Sequence, residues 1–92
     1  MVFEWLKNKI PHCNFVKARD NDDMLIICAE SLSLYYFNST AKFFIGCVDG
    51  KNTVADIKNK FLDKYEVAEH EVENDISEII RDLQWKKILT LE

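Results

Sequence analysis

At 92 residues the chain has room for one domain and one core, since single domains mostly run about 50 to 200 residues. Apolar residues make up 48% and aromatics 12%, with two Gly and one Pro, which excludes a linker, a disordered tail or a fibrous repeat. Twelve Lys and Arg against sixteen Asp and Glu leave a net charge of −4, so bulk charge recruits neither DNA phosphates nor an anionic membrane surface, and peptides or proteins are the expected partners.

Phe3, Leu6 and Ile10 at helical spacing, with Trp5 beside them, predict a short amphipathic helix over residues 2–10 that Pro11 ends. Residues 1–14 are therefore an N-terminal amphipathic extension that either covers the domain's own core or docks on a larger partner. MVFEWLKNKIPH lacks the uninterrupted apolar core of a signal peptide, and no window reaches membrane-spanning length, so a cytoplasmic protein with no membrane contact is expected.

FVKAR and MLIICA, separated by the polar cluster Asp20-Asn21-Asp22-Asp23, predict two strands joined by a turn. LSLYYF predicts a third strand over residues 32–37, with Leu32, Leu34 and Tyr36 on one face and Ser33, Tyr35 and Phe37 on the other. The first face suffices for a core. The two aromatics on the second are in surplus and mark this strand as the first place to look for a ligand.

Helices fill the rest of the chain. Asn38 or Ser39 caps one with an apolar stripe of Ala41, Phe44, Ile45 and Val48, closed by Asp49-Gly50. Thr53 and Asp56 form a capping-box variant for a second, whose buried face is Val54, Ile57, Phe61 and Tyr65. Val72, Ile76, Ile79, Ile80 and Leu83 set the stripe of a third over residues 69–86, with acids at its start and Lys86 and Lys87 at its end, as the helix dipole favours. The final ILTLE reads as a short extended tail.

Cys13, Cys28 and Cys47 are odd in number and widely spaced, which fits neither a disulfide framework nor a zinc site, and Cys28 and Cys47 read as small core hydrophobes. Adjacent His12 and Cys13 point in opposite directions on extended chain and make no nucleophile–base pair. With no Gly-rich phosphate loop and only one other histidine, His70 among acids, the chain is expected to have no catalytic residues, no metal and no cofactor. The predicted fold class is α+β and winged-helix-like: a three-stranded antiparallel sheet followed by three helices, with an extra N-terminal helix. Winged helices often bind DNA, but here the last helix carries Glu69, Glu71, Glu73, Asp75, Glu78 and Asp82 against Arg81 and Lys86, so groove insertion would be repulsive and no nucleic acid is expected.

The stretch YYFNSTAKFFIGCVDGKNTVADIKNKF resembles the PqqD-like family, small recognition elements that hold the leader segment of ribosomally made precursor peptides. The resemblance rests on the order and spacing of Phe37-Asn38, Ser39-Thr40-Ala41, Asp49-Gly50, Thr53 to Ile57, and Val72, Asp75, Ile76 and Leu83. Ser39 stands where Pro is common and Lys87 where Gly is usual, and residues 1–15 lie outside it. The resemblance implies a non-catalytic adaptor that captures a leader peptide by β-strand addition and presents it to a modifying enzyme of the radical S-adenosylmethionine kind. The leader would add to the strand at Ser33, Leu34, Tyr35, Tyr36 and Phe37, with the last helix as second wall. Tyr35 and Phe37 would anchor it, Ile79 would floor a pocket, and Asp75, Glu78 and Asp82 would meet basic leader side chains. The alternatives are a winged-helix regulator and a structural subunit of a larger complex.

Overall fold

The computed structural model describes residues 2–21 and 24–92. Its elements run α1 (Val2–Leu6), β1 (Pro11–Cys13), β2 (Lys17–Asn21), β3 (Met24–Cys28), β4 (Leu34–Phe37), α2 (Ser39–Cys47), α3 (Val54–Lys64), α4 (Glu69–Trp85) and β5 (Leu89–Leu91). The turn expected over Asp20 to Asp23 includes residues 22 and 23, which lie outside the described residues.

Strands β2, β3 and β4 form an antiparallel sheet in that order, so β4 is an edge. Alternation along β3 buries Leu25 and Ile27 and turns Met24, Ile26 and Cys28 to the outer face. Cys28 is thus half-buried on that outer face, whereas Cys47 is in the core as expected. All three thiols are free, and burial pushes the Cys13 thiol up to about 11.

The phase of the third strand is the reverse of the expected one. Leu34 and Tyr36 are 58% and 62% exposed, while Phe37 is buried and Tyr35 half-buried. Leu32 belongs to no strand. Its N–H donates to Ala29 C=O and the Ala29 N–H to Ser33 C=O, a tight connection that holds Leu32 at φ 70 and leaves it 74% exposed. Past this left-handed residue, Tyr35 and Phe37 face the core, and Leu34 and Tyr36 do not.

The helices start and stop where their caps dictate. The Asn38 side chain accepts the Ala41 N–H at 3.0 Å, and Thr53 and Asp56 exchange both capping-box bonds at 3.1 and 3.0 Å. Gly50 has φ 80 in a turn where Asp49 Oδ1 accepts the Lys51 and Asn52 N–H groups, and those two bonds hold the Asp49 carboxyl below its usual range. Helix α4 ends in a Schellman motif: Lys87 N–H donates to Gln84 C=O and Ile88 N–H to Leu83 C=O, with Lys87 at φ 60 where Gly is the favoured residue. The motif turns Ile88 and Leu89 back into the core. Phe44, Ile57, Phe61, Ile76, Ile80, Leu83 and Ile88 are its largest buried aliphatic and aromatic side chains on the helical side, each contributing about 1.5–3 kcal/mol on burial.

The N-terminal helix is shorter than expected because its downstream backbone is used elsewhere. Lys7 and Lys9 carbonyls accept the first N–H groups of α3, from Ala55 and Val54, at 2.9 Å each. Ile10 exchanges hydrogen bonds with Glu92, and β1 pairs antiparallel with β5 from Pro11↔Leu91 to Cys13↔Leu89. The expected tail is therefore one strand of a ribbon. Helix α1 covers the domain's own core with Phe3, whose ring lies 5.2 Å from Lys58 Nζ, while Trp5 stays 79% exposed. A hydrogen bond to Glu73 at 2.9 Å raises the Lys58 pKa.

Candidate functional site

A groove of about 390 Å³ runs between β4, the start of α2 and α4. Asn38 makes it possible by ending the strand and capping the helix in one residue, which brings Thr40 and Ala41 under the edge. The buried stripe of α4 fixes which residues face it. With Val72, Ile76, Ile80 and Leu83 turned to the core, Asp75, Glu78, Ile79 and Asp82 fall on the adjoining flank at spacings of three and four. Lys86 closes one end. Its Nζ donates to Asp82 Oδ2 at 2.6 Å and sits 5.2 and 5.3 Å from the ring centroids of Tyr35 and Phe37. Among the described residues, Asp75 and Glu78 have no ion pair or hydrogen-bond partner for their side chains, so the open part of the groove is negative.

Of the nine residues the sequence singles out, the structure brings Tyr36, Phe37, Asp75, Glu78, Ile79 and Asp82 to this groove. Phe37 is its buried floor rather than an exposed anchor. Tyr35 lies beneath Lys86, and Leu34 is on the outer sheet face beside Ile26, Cys28, Lys17 and Arg19, a hollow that shares Tyr36 with the groove. Ser33 precedes the strand and spends its carbonyl on Ala29. Asn38, Thr40, Ala41 and Lys86 also line the groove. Of these, Asn38 and Lys86 carry sequence signals, a cap and a dipole-favoured cation, that reveal local roles but not this shared location.

Two backbone bonds fix which groups of β4 are free. Ala29 directs both its N–H and its C=O toward the β4 side, while the Cys28 carbonyl accepts from Val16 on the β2 side. Successive residues alternate, so Ile27 and Leu25 address β4 through their partners Tyr35 and Phe37. The N–H and C=O groups of Leu34 and Tyr36 consequently point out from the sheet edge, where an extended peptide could pair with them.

No group of three or more His, Cys, Asp or Glu able to hold a metal occurs among the described residues. His12 Nε2 lies 3.4 Å from Glu92 Oε1 on the ribbon, well apart in sequence from the groove residues. No helix among the described residues is long and apolar enough to cross a membrane.

The fold has a solved counterpart. The structure of TbiB1 in complex with the TbiA(beta) leader peptide matches with a TM-score of 0.74 at 15% identity, covering 83% of this chain and 93% of that one. No curated protein matches the sequence. Residues 25–89, from β3 through β4 and the groove helices into β5, match the family described as coenzyme PQQ synthesis protein D. The chain therefore belongs to the PqqD family.

Proposed function

We propose that residues 1–92 act as one non-catalytic domain that captures the leader segment of a ribosomally made precursor peptide and presents it to a modifying enzyme, of the radical S-adenosylmethionine kind. The observation that carries this reading is the edge position of β4 among the described residues, with the Leu34 and Tyr36 backbone groups directed outward beside a groove walled by α4. It is supported by membership of the PqqD family and by a fold shared with a protein solved with a leader peptide bound. An added strand would gain main-chain hydrogen bonds along the edge and side-chain contacts in the groove, enough for about micromolar affinity after ordering costs. The acidic flank of α4 disfavours a duplex in the same place.

The test is titration calorimetry with the leader of a short precursor encoded beside this gene. Saturable binding at about micromolar Kd is the expected result. A folded protein that produces no binding heat with that leader, and none with the partner enzyme present, would overturn the proposal.

A further inference from the structure

The edge of β4 and its two flanks hold more information than the existence of a peptide site. Residues paired across a sheet share a face, whichever way the added strand runs. A peptide residue opposite Leu34 or Tyr36 must lie on the outer face, and one opposite Tyr35 or Phe37 must lie on the groove side. The two faces differ in chemistry. The outer one offers Leu34 and Tyr36, both more than half exposed, next to Ile26 and Cys28 with the cations Lys17 and Arg19 alongside, and Tyr36 borders the groove as well. The groove side offers Asp75 and Glu78, one helical turn apart with free carboxyl groups, while Asp82 is already held by Lys86.

We infer that the bound segment, on the peptide-binding reading above, is amphipathic with a period of two: Lys or Arg at the positions facing α4, and apolar residues at the intervening positions lying on Leu34 and Tyr36. The backbone bonds of the edge are blind to sequence, so this two-face readout is what selects one peptide over another. An acidic side chain on the groove side would face the like charges of Asp75 and Glu78 and be disfavoured. A basic side chain on the outer face would lose the apolar contact and gain no carboxylate.

The experiment is selection from a displayed library of random peptides about ten residues long, enough to overrun a four-residue edge strand at ~3.3 Å per residue. The intact chain and the Asp75→Lys/Glu78→Lys double variant are screened in parallel, each checked for folding by circular dichroism. The expected outcome is Lys or Arg enriched at alternate positions with apolar residues between them, and replacement of the basic residues by Asp or Glu in peptides selected on the double variant. A milder pair, Asp75→Asn/Glu78→Gln, keeps side-chain shape and should weaken a peptide selected on the intact chain by about tenfold at low salt. Peptides enriched without a charged alternation, or a basic preference unchanged in the double variant, would overturn the two-face readout and leave peptide capture standing. Selection of no peptide by any folded form would overturn both.

Discussion

The two edges of the main sheet are built from the same backbone and differ in their side chains. Strand β2 reads KARDN, with Lys17, Arg19 and Asp20 exposed and Asp20 tied by an ion pair to Lys42 on α2. Strand β4 reads LYYF, with no charge and with Leu34 and Tyr36 exposed. Charged side chains are a usual device against unwanted strand pairing. One edge of this sheet is thus guarded and the other left open, and the open one lies beside the groove. On the proposed reading, what suits β4 to an added strand is its lack of charged protection, not a special backbone.

The comparison breaks most visibly with proline. Tyr35→Pro removes a donor to β3 and should cost the fold about 3 kcal/mol or more, read as a fall in the urea midpoint. Leu34→Pro removes only an outward donor, so the protein should remain folded by circular dichroism while leader affinity falls at least about tenfold. If both variants fold and bind at full strength, the peptide does not pair with β4. A smaller effect is expected at the connection that sets the phase of the open edge. Leu32→Gly relieves a left-handed leucine and should stabilise by up to about 1 kcal/mol, raising the urea midpoint without changing leader affinity. Smallest is the guard itself: Asp20→Ala removes a solvent-exposed ion pair and should cost less than about 1 kcal/mol, a difference that fades in high salt. A salt-independent loss would mean that Asp20 does more than pair with Lys42.

The helices were legible because their signals are local. Thr53 and Asp56 sit three residues apart and bond each other, and the stripe from Val72 to Leu83 has one dominant face. The phase of β4 was not legible, since LSLYYF is apolar on both faces and alternation has no sign when neither face is polar. What decides it is Leu32, a residue type that seldom adopts the left-handed conformation, so no turn signal stood there. The acids of the groove were found in the sequence through the family resemblance, and their register on α4 follows from the buried stripe. Lys86 was read as a dipole partner, because its contact with Tyr35 and Phe37 spans two elements about fifty residues apart in the chain. Ribbon strand β1 was missed for a related reason: a proline at a three-residue strand argues against pairing, and its partner lies far away in sequence.

That ribbon has a bearing on the order in which the molecule comes together. Pro11 and Leu91 are about eighty residues apart in the chain, so their pairing closes a loop nearly as long as the protein and meets a larger entropic penalty than the local pairings of the main sheet. The hairpin of β3 and β4, by contrast, joins residues about ten apart, and α2 follows β4 after a single residue. Local closures come first on this reasoning, and the ribbon, with the carbonyls of Lys7 and Lys9 that seal α3, comes last. The β4 edge and the start of α2 thus belong to the short-range part of the fold, α4 joins them over an intermediate separation, and the strap that passes from α1 to β1 is the longest-range closure of the three.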